Sequence, residues 1–192
     1  MSIATRSAQT GAPILDVLAD RWSPRAYSSE PVSAAKMASA LEAARWSPSA
    51  NNVQPWRFIV GTKGTATFDT IAEQLVGFNQ GWAAKAGALI VAVAETVDAE
   101  GNDRPWATYD LGQAVAHLSI QAHSDGLFAH QMAGFSVDGV RAAFNLPAGL
   151  VPVTVTALGE LGDAETLPDM LREREVAPRT RLPLADLLIV SE

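Results

Sequence analysis

The chain has 192 residues, 48% hydrophobic and 18% charged, a composition that suits an ordinary globule with ample material for a core. Its net charge of −7 argues against nucleic acid as the main partner. With no cysteine, disulfides, thiolate nucleophiles and Cys-ligated metals are all excluded, which fits a reducing cytoplasm.

The opening "MSIATRSAQTGAP" lacks the apolar run of a signal peptide, and no later stretch approaches the roughly 18 apolar residues of a membrane span. The expected protein is cytoplasmic, with no membrane partner. "PILDVLAD" places Pro13 near a helix start, followed by Ile14, Leu15, Val17 and Leu18. Over 33–45 a second helix carries Ala34, Met37, Ala38, Leu41 and Ala44 on one face, with Ser33 as its N-cap. "RFIVG" reads as a strand, and 67–78 as an amphipathic helix presenting Phe68, Ile71, Ala72, Leu75 and Phe78. The continuous apolar run "ALIVAVA" suits a strand covered on both faces. Residues 107–124 form the longest helical pattern, closed by Gly126, with more than one face to cover. "LFAHQM" is strand-like, 137–145 helical and "VPVTVTALG" a strand, before a charged stretch over 162–181 and an apolar end, "LPLADLLIVS". That end must dock on its own chain or on a partner, since apolar surface left in water costs about 25 cal/mol per Å². Helices interleaved with a few short strands predict one α+β domain over residues 1–192.

Three separated stretches carry candidate chemistry. In "RWSPR", Pro24 discourages helical backbone at Ser23, so Arg21, Ser23 and Arg25 sit on a turn able to converge on one anion. The competing reading pairs these arginines with Asp16, Asp20 or Glu30 as surface salt bridges. In "RWSPSANNVQPWRF", Ser49, Asn51, Asn52 and Gln54 offer donors and acceptors between the stiffening Pro48 and Pro55. A planar heterocycle with ring heteroatoms could use such a loop. Alternatively it is an Asx-type turn, with Trp46 and Trp56 in the core. In "RTRLPL", Arg179 and Arg181 alternate as on an extended segment, suited to a phosphate monoester or, equally, to a solvated patch answering Glu173 and Glu175. Only Lys36, Lys63 and Lys85 among the 14 basic residues are lysines, and arginine forks suit phosphate.

Other chemistry is unsupported. There is no GxGxxG after a strand, no P-loop, no HExxH and no GxSxG elbow. His117, His123 and His130 lack metal-ligand spacing, so no metal is expected, and His117 and His123 read as satisfied structural residues of the long helix. With no evident nucleophile, no catalytic side chain is named, and the chemistry is expected to belong to a bound cofactor.

"RWSPR", "SPSANNVQPWRF", "HQMAGF" (130–135) and "RTRLP", in that order and over nearly the whole chain, together resemble the FMN-dependent nitroreductase family. The resemblance implies an α+β fold with a central, mostly antiparallel sheet flanked by helices, and an intertwined homodimer with FMN at the subunit interface. It implies that Arg21, Ser23 and Arg25 hold the phosphate and ribityl chain, joined on the phosphate by Arg179 and Arg181. The other subunit supplies Pro48, Ser49, Ala50 and Asn52, with Gln54 nearby, while Gln131, Met132, Ala133 and Gly134 lie along the isoalloxazine and Asn79 contacts the ring. Ala133 stands where some relatives have an acidic residue, a contact made mainly by backbone N–H. The short "ETVDAEGNDRPW" replaces a helical lid inserted in larger members, which leaves the acceptor poorly constrained.

The implied function is reduction of a small organic acceptor (a nitro compound, quinone, enone or aldehyde) by NAD(P)H. Without a Rossmann signature, donor and acceptor would use the same space in turn, a ping-pong scheme. The rivals are a flavin-binding carrier or sensor without turnover, and a phosphate-ligand module unrelated to flavin.

Overall fold

The computed structural model describes residues 6–190. Its centre is an antiparallel sheet of four strands in the order β1-β2-β4-β3: β1 (Trp56–Thr62), β2 (Ala88–Glu95), β3 (Phe128–Met132) and β4 (Leu150–Gly159). Among the described residues six α-helices accompany it: α1 (Asp16–Asp20), α2 (Ala34–Arg45), α3 (Ala66–Glu73), α4 (Ala107–Ser124), α5 (Val137–Ala143) and α6 (Asp169–Val176). The register runs Trp56↔Ala94 to Thr62↔Ala88 between β1 and β2, and Phe128↔Gly159 to Met132↔Val155 between β3 and β4. The expected α+β architecture, an antiparallel sheet flanked by helices, is what the chain forms.

Side-chain alternation along β2 explains why helices cover both faces. Leu89, Val91 and Val93 join one core layer with Phe68 and Ile71 of α3, Val140 of α5 and Leu171 of α6. Ile90 and Ala92 point the other way, onto Met37, Ala40 and Ala44 of α2 and Leu111, Ala114 and Leu118 of α4. The same alternation on β3 sends Met132 into the first layer and Ala129 into the second. A bulge at Ala92/Val93 shifts the β2–β4 register.

Several expected elements form with their signals in use. The Ser33 hydroxyl accepts from Lys36 N at 3.3 Å, capping α2, and Gly126 at φ +79 closes α4. Elsewhere the structure departs from the pattern. Ala34 and Ala38 are exposed, and the buried face of α2 is Met37, Ala40 and Ala44. The 67–78 pattern yields only α3 to Glu73, because the chain turns at Gly77 (φ +59) and leaves Phe78 exposed. The segment around Pro13 makes a helix of only 5 residues that buries none of them. The charged 162–181 stretch holds α6, whose buried residues are Leu171 and Glu175, a helix whose inward face pairs one leucine with a carboxylate and so escapes hydrophobic periodicity.

Close approach makes Gly61 a test of how β1 meets α3. A Cβ there would lie 2.5 Å from both the Cα and the N of Phe68. Gly61→Ala should therefore destabilise the chain by about 1–3 kcal/mol, read as a lower urea midpoint. An unchanged midpoint would mean that strand and helix do not pack this closely.

Candidate functional site

The turn after α1 packs against side chains of β3. Trp22 meets Phe128 edge-on at 6.1 Å, and His130 Nδ1 is 2.7 Å from the Pro24 carbonyl. From the other side, the Glu175 carboxylate, only 3% exposed, accepts the Arg25 N–H at 2.9 Å and the Ala26 N–H at 3.1 Å. The Arg25 guanidinium follows its backbone inward, 3.9 Å from Glu175 and 6.0 Å from the Trp82 ring centre. Arg6 stacks on Trp22 and donates to the carbonyls of Glu175 and Ala177, capping the end of α6.

The late arginines come to the same place. Arg179 donates to the carbonyls of Ala19 at 2.6 Å, Arg21 at 2.8 Å and Arg6. Arg21, Arg179 and Arg181 line one cleft of about 750 Å³, walled by Ile14, Leu18 and the apolar Leu182–Leu187 segment. Burial, then the charge of Arg181, pushes the Arg21 guanidinium below its ordinary value. Arg179 is lowered likewise, by burial and by Arg21, Arg181 and Arg6, with only Asp20 acting the other way. Guanidiniums depressed by burial and by neighbouring guanidiniums are cations gathered with little counter-charge.

Arg21 also lines a second cleft of about 370 Å³ against α4, with Gly112, Val115, Ala116, Ser119, Ile120 and Gln131. Gln131, the residue of β3 that faces α4, donates to the Ser119 hydroxyl at 2.6 Å, which in turn donates to the Val115 carbonyl at 2.7 Å. Ser23 is half-buried in the turn between Arg21, which lines both clefts, and Arg25, which turns inward to Glu175. Beyond β3, Ala133 is exposed and Met132 is buried in the core. Asn79 Nδ2 donates to the Gly134 carbonyl at 3.1 Å, so these two expected residues do meet.

The amide-rich loop lies elsewhere. Pro48, Ser49 and Ala50 line a cleft of about 220 Å³ with Trp106, Tyr109, Asp110 and Gln113 at the start of α4. Asp110 is buried and accepts the Ala50 N–H at 3.1 Å, tying loop to helix. The Ser49 hydroxyl accepts the Gln54 N–H at 2.9 Å, and Gln54 Nε2 donates to the Asn52 carbonyl at 3.1 Å. Asn51, Asn52 and Gln54 all hold positive φ, between 51° and 55°. Trp56 is in the core, but Trp46 is exposed and bonded to Glu42. Within one chain, then, the loop and the arginines line different clefts, and α4 walls the loop's cleft and the smaller of the two that Arg21 lines.

The competing partners proposed for the arginines give way. Arg25 pairs with Glu175, not with Asp16, Asp20 or Glu30, and Arg179 takes carbonyls rather than Glu173 or Glu175. His117 bonds Ser47 at 2.6 Å, but the expectation of a satisfied His123 fails: its buried Nδ1 has no partner among the described residues. Glu175 and His130 orient the turn, whereas the sequence offered Glu175 only as a counter-ion for Arg179 and Arg181 and His130 only as the first residue of "HQMAGF".

The Nitroreductase family profile matches residues 18–76 and 62–160. The chain belongs to the nitroreductase family. It is 44% identical over 139 residues, 67% of this chain and 90% of the other, to an uncharacterized 15.4 kDa protein in the ask 5' region of Mycolicibacterium smegmatis. It is similar to a crystal structure of an oxidoreductase containing FMN, at 35% identity and TM-score 0.92, covering 100% of this chain and 98% of that one. A nitroreductase family protein from Clostridium difficile shares the fold at TM-score 0.71 and 22% identity, over 92% of this chain and 97% of that one.

Two predictions test how this nitroreductase-family turn is held. Glu175→Ala leaves the half-buried Arg25 and the buried Ala26 N–H groups without their acceptor and should cost about 3 kcal/mol in urea unfolding, with Glu175→Gln costing less. A midpoint for the alanine variant equal to wild type would remove Glu175 from this role. Burial holds His130 down to about 4, with Arg25 and Arg21 adding to the shift and the Pro24 bond opposing it. The unfolded chain takes up that proton near the usual 6.5, so stability is full above this and falls as the pH drops towards 4. The loss, on the order of 3 kcal/mol, should be missing from the unfolding pH profile of His130→Phe.

Proposed function

We propose that this chain is an FMN-dependent oxidoreductase that uses NAD(P)H to reduce a small organic acceptor, acting as a cytoplasmic homodimer. The observation that carries this reading is the gathering of Arg21, Arg179 and Arg181 at one cleft, where burial and neighbouring guanidiniums lower the proton affinity of Arg21 and of Arg179. A phosphate monoester, close to a dianion at neutral pH, answers such a cluster in charge and in donor geometry. The 35%-identical oxidoreductase containing FMN supplies the identity of the ligand that bears it.

In this reading Arg21 and Arg181 bond the phosphate directly and Arg179 fixes the Arg21 backbone while adding its charge. Ser23 takes the ribityl end, and Arg25 contributes through its pairing with Glu175. Gln131, Met132, Ala133, Gly134 and Asn79 run beside the ring, Met132 and Ala133 through their backbone. FMN, when bound, supplies the electron-transfer chemistry. The chain binds it, orients it and places donors near the ring that stabilise negative charge. Donor and acceptor share the open space in turn, which gives parallel initial-velocity lines; intersecting lines would contradict this order.

Two features support a dimer. Pro48, Ser49 and Ala50 line a cleft apart from the arginine clefts of their own chain, with Asn52 and Gln54 on the same loop, which suits a site completed by a second copy. Leu182, Leu184, Leu187 and Ile189 are exposed, a run of apolar surface that needs covering. Light scattering should give twice the chain mass; a monomer at micromolar concentration would count against the shared site.

The experiment that tests the assignment is an absorption spectrum after adding FMN and desalting. Retained flavin bands are expected, and a colourless protein would overturn the cofactor. Arg21→Ala should weaken FMN binding by about 1.5–3 kcal/mol, roughly tenfold or more in affinity. Steady-state NAD(P)H oxidation above the rate of free FMN separates an enzyme from a carrier or sensor.

A further inference from the structure

We infer that His130 is a positioning residue of the cofactor site: its Nδ1–H fixes the Pro24 carbonyl and so holds the Arg21–Arg25 turn in register for the flavin phosphate. The inference rests on the FMN reading above and adds a residue to it that does not touch the ligand.

The turn is held at separate points by side chains from separate parts of the fold. Arg179 donates to the Arg21 carbonyl at 2.8 Å, His130 lies 2.7 Å from the Pro24 carbonyl, and Glu175 accepts the Arg25 and Ala26 N–H groups. Proline has no N–H, so the carbonyl is the one backbone group of Pro24 that can be held. A carbonyl only accepts, which places the ring proton on Nδ1. Burial keeps the imidazole neutral at neutral pH, since it gains a second proton only at about 4. Neutrality matters here, because Arg21 and Arg25 face the ring from the turn and a third cation would oppose both.

The ring is itself rigidly seated. His130 packs 4.6 Å from Trp82, which stacks on Tyr27 at 6.2 Å, and the Tyr27 hydroxyl donates to the Ala157 carbonyl of β4 at 3.1 Å. Trp82 is fully buried. The sheet therefore reaches the turn through Ala157, two aromatic rings and the imidazole, while the neighbouring Gln131 faces the α4 cleft on the opposite side. One strand, by alternation, steadies the turn with one residue and lines the cleft with the next.

The test compares His130→Asn, His130→Gln and His130→Phe as full-length proteins. An asparagine amide puts its nitrogen close to the Nδ1 position, a glutamine amide near Nε2, and phenylalanine keeps the packing on Trp82 without a donor. FMN dissociation constants come from flavin fluorescence quenching, with thermal midpoints measured beside them. Gln and Phe should weaken FMN by about tenfold, the value of one lost hydrogen bond, and Asn should stay within about threefold of wild type. Equal affinity for wild type, Asn and Gln overturns the inference, and so does an Asn variant as weak as Gln. A His130→Phe chain that does not fold leaves the Asn and Gln pair to decide. Nitrogen NMR of the histidines supplies a readout independent of flavin: His130 should show the Nδ1–H tautomer, and an Nε2–H tautomer overturns the inference even where FMN binds. A wild-type protein that shows this tautomer but binds no FMN fails the cofactor reading instead, and the positioning role falls with it.

Discussion

Guanidinium groups repel one another, and gathering Arg21, Arg179 and Arg181 at a half-buried cleft requires other contacts to hold them. The fold supplies these through backbone. Arg179 is spread over carbonyls at the end of α1 and in the turn, where the helix leaves its last acceptors unsatisfied and favours a positive charge. Arg25 is drawn aside by the buried Glu175, which thereby leaves the remaining cations facing the cleft. What is left over is positive charge in a place partly shielded from water, where an anion gains more than it would at an open surface. The rest of the site follows from keeping that charge in position.

The sheet does much of that work. Residues of the 21–26 segment meet side chains that β3 presents on one face, Trp22 against Phe128 and the Pro24 carbonyl against His130. Alternation then divides its residues between tasks. His130 and Met132 face the layer of α3 and α6, while Gln131 faces α4, where Arg21 and Ser119 complete the cleft wall. The chain's ends serve the same place: the segment around Arg6 caps α6, and the segment around Arg179 passes under α1. An apolar tail that stays exposed beyond them fits an assembly in which a second copy covers it.

Much of the frame was legible in the residues. The run "ALIVAVA" forms β2, buried on both faces, and the 107–124 pattern forms α4, because strand alternation and helix periodicity are local and strong. The N-cap at Ser33 and the stop at Gly126 were equally readable. Elements with a weak apolar stripe were not: α6 buries Leu171 and a carboxylate, and no hydrophobic pattern announces a glutamate as an inward residue. The site showed the same division. Arg21, Arg179 and Arg181 line one cleft, a meeting that the family resemblance implied and that neither motif showed by itself. That Arg25 turns inward, that His130 and Glu175 orient the turn, and that the Pro48–Gln54 loop sits on another cleft are long-range facts. They depend on contacts between residues more than a hundred positions apart, such as Arg25 with Glu175, which local composition does not encode.

The proposed FMN function requires the arginine cluster to bind a phosphate. The most direct measurement is the affinity of the purified protein for FMN against riboflavin, the same ring and polyol without the phosphate. Two charged hydrogen bonds lost together predict riboflavin weaker by at least about a hundredfold. Equal affinities would contradict the account, for the flavin would then be held by its ring alone and the arginines would answer some other anion.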